Sequence, residues 1–385
     1  MFILSSIYSD EGKLLDSVVQ CVLKKRRQAT LNVAKTALYV ARYPTGLQEK
    51  VEEFEKTVFL QKKKSREAQV VGIVGMGGAG KTTLARELFN LKNSCFDKSF
   101  FLFDVRETAR QSSLTSLQGK LLQGLTHRNE QIDRVDEGIE KLRKYLSSGH
   151  ALIVLDDVDH VRQLEAFLPI TDVLQSDSLI LVTSRYKDVL TGSGIPESSI
   201  YRLTALHDQH SQQLFCSYAF LQPHPLPGFE DLVNEFCKAC HGLPLSLKVF
   251  GGLLSQKKDK SYWIGQLDKL RQIKLPNEIQ DSLKISYDAL NAEEKQIFLD
   301  IPCYFIGEDR DMAIRVWDGS KWNGLVGFLN LEGRCLVEVE NSKIKMHDHL
   351  RDLGRNIADQ ENSSVRLWQT TNDINDLWQQ SHVSA

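Results

Sequence analysis

The sequence predicts an α/β fold in which a parallel, doubly wound sheet is followed by a helical bundle and a winged helix. Apolar runs of strand type alternate with helical patterns through residues 70–183, which is typical of a parallel sheet covered by helices. Helical patterns without intervening strands then occupy residues 205–280. Further helices precede an alternating segment at residues 336–346, in which Asn341 and Ser342 indicate a hairpin turn. Helices followed by a hairpin indicate a winged helix.

Length and composition are those of an ordinary soluble globular chain. The 385 residues are 42% hydrophobic and 25% charged, and this length predicts roughly two to four domains. The 48 Lys and Arg balance the 50 Asp and Glu. The chain as a whole therefore has no excess of positive charge that would indicate nucleic-acid binding. No run approaches the ~18–20 apolar residues of a membrane span, and the N-terminus lacks the basic start of a signal peptide. The seven cysteines lack the spacing of a disulfide framework, which predicts reduced thiols in the cytosol or nucleus.

The strongest chemical signal is a glycine-rich loop between a predicted strand and a predicted helix. Residues 70–85 read VVGIVGMGGAGKTTLA and contain a complete G-x-x-x-x-G-K-[ST] match. In this motif the glycines let backbone N–H groups face a phosphate chain, and the helix N-terminus favours the anion. Lys81 is predicted to reach the outer phosphates and Thr82 to bind Mg²⁺. A glycine-rich turn that binds nothing would not require this strand-then-helix context. The predicted nucleotide-binding residues here are Gly75, Gly77, Gly78, Ala79, Gly80, Lys81, Thr82 and Thr83.

A pair of acidic residues follows a second predicted strand. The apolar run at residues 151–155 ends in Asp156 and Asp157, at the strand end where open α/β sheets place their ligands. Asp156 is predicted to hold Mg²⁺ together with Thr82, and Asp157 to orient or deprotonate an attacking water. Arg185 follows the next strand and is a candidate sensor of the γ-phosphate. Asp156, Asp157 and Arg185 are therefore the predicted catalytic residues.

Three other patterns have simpler interpretations. Residues 237–241 read CKACH and match the attachment motif of c-type haem, but they lie in a predicted helix, and no second cysteine pair completes a zinc site. Residues 14–42 predict a linker helix. Its basic cluster at residues 24–27 is compatible with a nuclear import signal or a nucleic-acid patch, but a solvated helix face is the more common interpretation. The helix that would read DNA in the winged helix, residues 323–334, is too apolar and neutral for that role.

The chain after the hairpin contains a further anion-binding candidate. Asp348 precedes a helical pattern at residues 349–357, and Asp is favoured as an N-cap residue. We therefore expect Asp348 to cap this helix, whose N-terminus beside His347 can face an anion.

The order of these motifs resembles the NB-ARC nucleotide-binding switch of plant disease-resistance (NLR) proteins, within the STAND class of signalling ATPases. The resemblance covers about residues 43–360, and seven motifs in family order are more specific than any one of them. Asp159 and the segment FLDIPCYF are similar to the subclass that normally carries an N-terminal TIR domain. The matching segments are GMGGAGKTT, FLFDVRE, LIVLDDVD, LILVTSR, HGLPL, IFLDIPCYF and MHD.

The resemblance implies a switch that binds ADP at rest and ATP when active, with Mg²⁺ and at most a slow, regulatory hydrolysis. It also implies that Pro44 and Pro244 lie near the adenine and that His347 reaches the β-phosphate of ADP. Implied partners are other immune receptors or signalling proteins, with a homo-oligomer on activation, in the cytoplasm or nucleus. The expected divisions are a helical linker (1–42), a P-loop nucleotide-binding domain (43–204), an ARC1-like helical domain (205–282), an ARC2-like winged helix (283–365) and a C-terminal tail (366–385).

Two departures from the family pattern and two alternative functions remain. Ser184 and Tyr186 replace two residues of the usual Thr-Thr-Arg-Asp sensor sequence. Neither a TIR domain before residue 43 nor a leucine-rich repeat after the MHD motif is recognised. The first alternative is an efficient ATPase or nucleotide kinase. A kinase would need a lid and an acceptor site, neither of which is visible in the sequence, and multiple-turnover assays separate this alternative from a switch. A STAND-type transcriptional regulator would need a charged recognition helix.

Overall fold

A computed structural model of the chain describes residues 37–58, 68–255, 257–271, 279–320 and 322–360. The chain divides into two compact units, residues 1–205 and 206–385. The first unit contains five strands, which are β1 (Gln69–Val74), β2 (Lys98–Leu102), β3 (Ala151–Val158), β4 (Leu179–Ser184) and β5 (Ile200–Arg202). They pair in parallel in the order β2-β3-β4-β1-β5.

Helices connect these strands and cover the sheet. They are α1 (Leu47–Val58), α2 (Lys81–Lys92), α3 (Val105–Gln111), α4 (Leu114–Thr126), α5 (Val135–Leu146), α6 (Val161–Glu165) and α7 (Lys187–Gly192). Every residue of β3 is buried, as expected for a central strand of a parallel sheet with both faces covered. Leu121 of α4 and Leu142 of α5 share one hydrophobic core with Leu155 of β3.

The strand order brings the carboxyl ends of β1, β3 and β4 side by side. Val74 at the end of β1 pairs with Ser184 at the end of β4, and Val158 at the end of β3 pairs with the same residue. Residues at or just beyond these ends therefore lie close together. The parallel sheet, with its loop between β1 and α2, confirms the predicted fold of this unit.

The boundaries of two predicted strands were wrong. β2 stops at Leu102, because Asp104 has a left-handed φ of 49° and turns the chain into α3. β3 does not end before the acidic pair but continues to Val158, with a register shift between Leu155 and Val158. Asp157 has a φ of 55° within this irregular stretch. The acidic pair thus belongs to the distorted end of the strand. The three-residue strand β5 was not predicted, because it is too short for a periodic signal.

Residues 37–42, the end of the predicted linker helix, are not helical. The backbone N–H of Leu38 donates to Asn90 Oδ1, and the Leu38 carbonyl accepts from Asn90 Nδ2, both at 2.8 Å. Arg86 also donates to the carbonyl of Tyr39 at 3.1 Å. Because side chains of α2 satisfy these backbone groups, the segment needs no helical hydrogen bonds of its own. The rest of that predicted helix and the predicted tail (366–385) lie outside the described residues.

The first half of the second unit consists of four helices that share an aromatic cluster. They are α8 (Asp208–Phe220), α9 (Glu230–Ala239), α10 (Pro244–Leu254) and α11 (Lys260–Arg271). Trp263 is fully buried. Its ring contacts Phe215, Phe220, Phe229 and Phe236, with centroids 4.9 to 6.0 Å apart. Cys216 and Cys237 are buried in these helices, and burial raises the pKa of each thiol to about 12.

The second half has the element order of a winged helix. Its elements are α12 (Ile279–Asp288), α13 (Ala292–Asp300), α14 (Arg310–Gly319), α15 (Gly324–Gly333), β6 (Glu338–Glu340), β7 (Lys343–Lys345) and α16 (Asp348–Gln360). β6 and β7 are antiparallel, and Asn341 and Ser342 between them have φ values of 52° and 62°. Positive φ at both turn residues is the conformation of a tight two-residue hairpin, as predicted. α13 continues into a π-helical turn at Ile301–Phe305.

Helix α15, which precedes the hairpin, presents aliphatic side chains on its outer face. Leu325, Val326 and Leu329 are each about half exposed, at 51%, 53% and 49%. The helix reads GLVGFLNLEG and has no basic residue, so this face has no positive charge for a polyanion.

Within the described parts of the chain, no helix combines the length and apolar character needed to cross a membrane.

Candidate functional site

Residues 75–80 form the loop that joins β1 to α2 at the carboxyl edge of the sheet. Gly78 and Gly80 have φ values of 73° and 96°, which glycine adopts without strain. A Cβ at Gly75 would lie 2.8 Å from the carbonyl oxygen of Leu203, so this position has no room for a side chain. The 12-residue helix α2 starts directly after Gly80, and the N–H groups of its first turn lack helical partners. The loop therefore has the backbone geometry of an anion site.

Lys81 folds back over this loop. Its Nζ donates hydrogen bonds to the carbonyl oxygens of Gly75 and Met76, both at 2.9 Å, and only 8% of the residue is exposed. The ammonium group thus lies at the loop that it is predicted to serve. The other predicted binding residues of this stretch lie in the loop or in the first turn of α2; they are Gly77, Ala79 and Thr83.

Thr82 and Asp156, the two predicted metal ligands, are hydrogen-bonded to each other. Thr82 Oγ1 donates to the Asp156 carboxylate, at 2.9 Å from Oδ1 and 3.1 Å from Oδ2. Thr183 Oγ1 donates to Asp156 Oδ1 at 2.6 Å. Burial raises the pKa of Asp156 to about 7, against the opposing effect of the two threonine hydroxyls; nearby Asp104 and Asp157 add to the rise. The structure therefore brings the two predicted ligands together, with Asp156 buried and Thr82 partly buried.

This pair of side chains fits Mg²⁺. Hydroxyl and carboxylate oxygens are hard ligands of the kind that Mg²⁺ takes, and the ion is usually held by one or two carboxylates together with substrate phosphates. Across the described residues, no cluster of three or more His, Cys, Asp or Glu side chains could hold a metal alone. A magnesium ion held by Thr82 and Asp156 would take further ligands from phosphate oxygens and water, as is usual for this ion.

Asp157, next to the metal-ligand pair, contacts two arginines. Arg106 Nε donates to Asp157 Oδ2 at 2.7 Å, and Arg185 Nε lies 3.5 Å from Asp157 Oδ1. The backbone N–H of Asp157 donates to Thr183 Oγ1 at 2.8 Å. Thr183 thus links Asp156 to Asp157. The three predicted catalytic residues, Asp156, Asp157 and Arg185, form one connected group at the ends of β3 and β4.

Sequence reasoning missed two members of this group, Thr183 and Arg106. Thr183 is the penultimate residue of β4 and was included in an apolar strand pattern. Arg106 is 51 positions from Asp157, and only the pairing of β2 with β3 brings the two together. The signal available in the sequence was the charged pair Arg106 and Glu107, with which the segment FLFDVRE ends.

Three of the predicted binding residues lie outside the loop and the strand ends. Pro44 is exposed in the turn before α1, in the same unit as the loop. Pro244 is the first residue of α10, and His347 directly precedes α16. Both belong to the second unit.

Asp348 does not cap α16 as expected, because the helix begins one residue earlier than predicted. His347 occupies the capping position: its ring Nδ1 accepts from the N–H of His349 at 3.2 Å. Its carbonyl accepts from the N–H groups of Leu350 and Arg351, both at 2.9 Å. The Asp348 carboxylate instead pairs with the Arg351 guanidinium one turn along the helix. The imidazole of His347 therefore has a structural role at the start of α16.

The loop, its lysine and the threonine–aspartate pair place the first unit among the P-loop nucleotide-binding domains. Comparison with known families narrows this class. The chain contains an NB-ARC domain, which residues 48–224 match, and residues 291–362 match the winged-helix domain described as "Disease resistance protein Roq1-like". The family match confirms the resemblance that the motif order indicated, and it implies that the chain binds a nucleotide.

Curated proteins similar to the chain are plant disease resistance proteins. "Disease resistance protein RUN1" of Vitis rotundifolia is 36% identical over 313 residues, covering 80% of this chain and 23% of that protein. "TMV resistance protein N" of Nicotiana glutinosa is 33% identical over 311 residues, covering 78% of this chain and 26% of that protein. The chain thus spans about a quarter of the length of these relatives. Among solved structures, the STAND protein PH0952 of Pyrococcus horikoshii, which has a tetratricopeptide repeat sensor, is 19% identical with a TM-score of 0.46, covering 86% of this chain and 44% of that one.

Proposed function

We propose that this chain is the ADP/ATP-binding switch of a plant disease-resistance receptor. ADP stabilises a closed resting state, ATP stabilises the active state, and slow hydrolysis returns the switch to rest. The observation that carries the proposal is the hydrogen-bonded pair of Thr82 and Asp156 beside the loop that Lys81 covers. These are the groups that a magnesium-bound nucleotide requires. Similarity to the two disease resistance proteins supports the biological setting.

Each site residue has a proposed role. The loop amides and Lys81 bind the phosphates, while Thr82 and Asp156 hold Mg²⁺. Asp157 orients the water that attacks the γ-phosphate, and Arg185 contacts the γ-phosphate itself. The position of Arg185 at the end of β4, 3.5 Å from Asp157, supports this last role.

Other proposals rest on the family resemblance. Pro44 and Pro244 contribute to adenine binding, and His347 contributes to binding of the ADP β-phosphate. The domain divisions are residues 43–204, 205–282 and 283–365. The active form associates with further copies and with other immune receptors or signalling proteins, in the cytoplasm or the nucleus.

Nucleotide content and affinity test the proposal. We expect mass spectrometry of the denatured, purified chain to show co-purified ADP. After the nucleotide is stripped, calorimetry should show binding of ADP, and binding of ATP that weakens when Mg²⁺ is removed with a chelator. A chain that binds neither nucleotide would contradict the proposal.

Turnover and DNA binding separate the switch from its two alternatives. An efficient ATPase would show sustained multiple turnover, whereas a switch shows slow single-turnover hydrolysis. A transcriptional regulator would bind DNA through the helix before its hairpin. The outer face of α15, which is aliphatic and has no basic residue, favours the switch.

Replacing Asp348 with valine should speed the release of ADP. The substitution removes the carboxylate that pairs with Arg351 in the first turn of α16, directly after the capping residue His347. If His347 contributes to ADP binding, loosening this turn weakens the bound state, by about 1–3 kcal/mol if the coupling is typical. Stopped-flow release of a fluorescent ADP analogue measures the effect. Asp359→Val, at the exposed last turn of the same helix, is the control, and equal release rates in both variants would remove His347 from the proposed site.

A further inference from the structure

We infer that Arg106 is a positioning residue that restrains the Asp157 carboxylate and thereby keeps ATP hydrolysis slow. The inference rests on the proposed function and deepens it by naming the group that limits hydrolysis. Neither the phosphate-loop motif nor the family resemblance assigns a role to this residue.

The Arg106–Asp157 pair is buried and closely aligned. Arg106 Nε lies 2.7 Å from Asp157 Oδ2, and the two side chains are only 6% and 9% exposed. A charge-assisted hydrogen bond from a rigid, planar guanidinium is strong and directional. Because the pair is shielded from solvent, water competes with it poorly. The Oδ2 atom of Asp157 is therefore oriented toward α3.

Helix α3 places a second arginine beside the acidic turn that residues 156–159 form at the end of β3. Arg110, four residues after Arg106 and hence on the same helix face, donates to Asp159 Oδ2 at 3.1 Å. The turn lies next to α3 because Leu102 of β2 pairs with Leu155 of β3. The side chain of Arg110 is 58% exposed, in contrast to that of Arg106. The two pairs have similar chemistry, but only the first one is buried and touches a predicted catalytic carboxylate.

The backbone at Asp157 supports the same orientation. Its φ of 55° is uncommon for a residue with a side chain, and such a conformation persists only where its surroundings impose it. The hydrogen bond from its N–H to Thr183 and the ion pair with Arg106 are contacts that impose it. Arg185 Nε lies 3.5 Å from the other carboxylate oxygen, Oδ1.

The restraint acts on the water that carries out hydrolysis. The water oxygen forms a bond to the γ-phosphorus, the bond from that phosphorus to the β–γ bridging oxygen breaks, and ADP leaves with the electron pair. One water proton stays on inorganic phosphate and the other is released to solvent. Asp157 assists by accepting a hydrogen bond from the attacking water. While Arg106 engages Oδ2, the carboxylate is poorly placed to accept that bond, and the step is slow.

Single-turnover hydrolysis of pre-bound ATP and Mg²⁺ by the full chain tests this inference. We expect Arg106→Gln to hydrolyse ATP roughly tenfold faster, which is less than the 10²–10⁴-fold that a fully positioned proton-accepting group contributes. Its affinity for ATP should equal that of the parent chain. Arg106→Lys, which keeps a charge but lacks the planar fork, should give an intermediate rate. Arg110→Gln removes the neighbouring pair on the same helix and should leave the rate unchanged.

A double variant shows whether the gain requires the carboxylate. Arg106→Gln combined with Asp157→Asn should lose the acceleration, because the released group is no longer a carboxylate. A purely structural role for Arg106 would instead lower stability and leave the hydrolysis rate unchanged or reduced. An unchanged or slower hydrolysis rate in folded Arg106→Gln overturns the inference. If that variant does not fold, an unchanged hydrolysis rate in Arg106→Lys overturns it. Failure of the proposed function can be told apart from failure of this inference, because in the first case the parent chain would bind no nucleotide.

Discussion

Replacing Lys81 with alanine should remove nucleotide binding while leaving the fold intact. The ammonium donates to two loop carbonyls, those of Gly75 and Met76, and phosphate oxygens would replace these acceptors when a nucleotide binds. A charge-assisted hydrogen bond contributes about 1.5–3 kcal/mol. Loss of two such bonds lowers affinity roughly 10²- to 10⁴-fold. Calorimetric titration of the nucleotide-free variant with ADP and with ATP measures the loss.

Lys56→Ala is the matched control for this experiment. Lys56 lies in the last turn of α1, in the same unit, and is exposed. The substitution Lys56→Ala removes the same charge from the chain without touching the loop. Any general effect of net charge on affinity therefore appears in both variants. Thermal unfolding of both variants checks that the fold is retained. Parental affinity in folded Lys81→Ala would show that the loop does not bind phosphate through this lysine.

The glycine-rich loop and the two predicted metal ligands were predictable because their signals are local. Glycines that permit positive φ stand beside the lysine and threonine that carry the chemistry, all within residues 75–82. Asp156 was predictable from a general property of parallel sheets, whose strand ends form the ligand site. The structure brings Thr82 and Asp156 into hydrogen-bond contact.

The environment of Asp157 was not predictable, because it depends on strand order. Alternation of strands and helices indicates a parallel sheet but does not say which strands are neighbours. The pairing of β2 with β3 brings Arg106 to Asp157 across 51 positions, and the pairing of β3 with β4 brings Thr183 to it across 26. A sequence pattern shows each of these residues only as a charged or β-branched residue near a strand.

Two local errors had different causes. At the start of α16, the preference of Asp for capping positions pointed to Asp348, but the histidine before it provides the acceptor through its ring nitrogen. At the end of β2, the apolar run suggested that the strand continues, whereas the left-handed backbone of Asp104 ends it. Asp tolerates that conformation better than most residues. The first error thus came from a neighbouring side chain that provided the cap, and the second from a local backbone conformation that ended the strand.

Replacing Asp156 with asparagine should stabilise the chain at neutral and higher pH when Mg²⁺ and nucleotide are absent. Burial raises the pKa of this carboxyl from an ordinary 3.8 to about 7 in the folded chain. Between these values the folded state binds more protons than the unfolded state, so the carboxyl lowers the free energy of unfolding as the pH rises. Above about pH 7, the cost of this ionised group approaches roughly 4 kcal/mol, at about 1.4 kcal/mol for each tenfold change. Asparagine is neutral at every pH and avoids this cost.

Urea unfolding between pH 4 and pH 8, in the presence of a chelator, measures the difference between Asp156→Asn and the parent chain. The difference should be small at pH 4, where the parent carboxyl is protonated in the folded state, and should grow as the pH rises toward 8. Asp188→Asn, at an exposed position in α7, controls for the general effect of removing one negative charge. With Mg²⁺ and ATP present the order should reverse, since a carboxylate that holds the metal then stabilises the folded state through binding. A stability difference that does not change with pH would show that Asp156 is already ionised in the folded chain at pH 4.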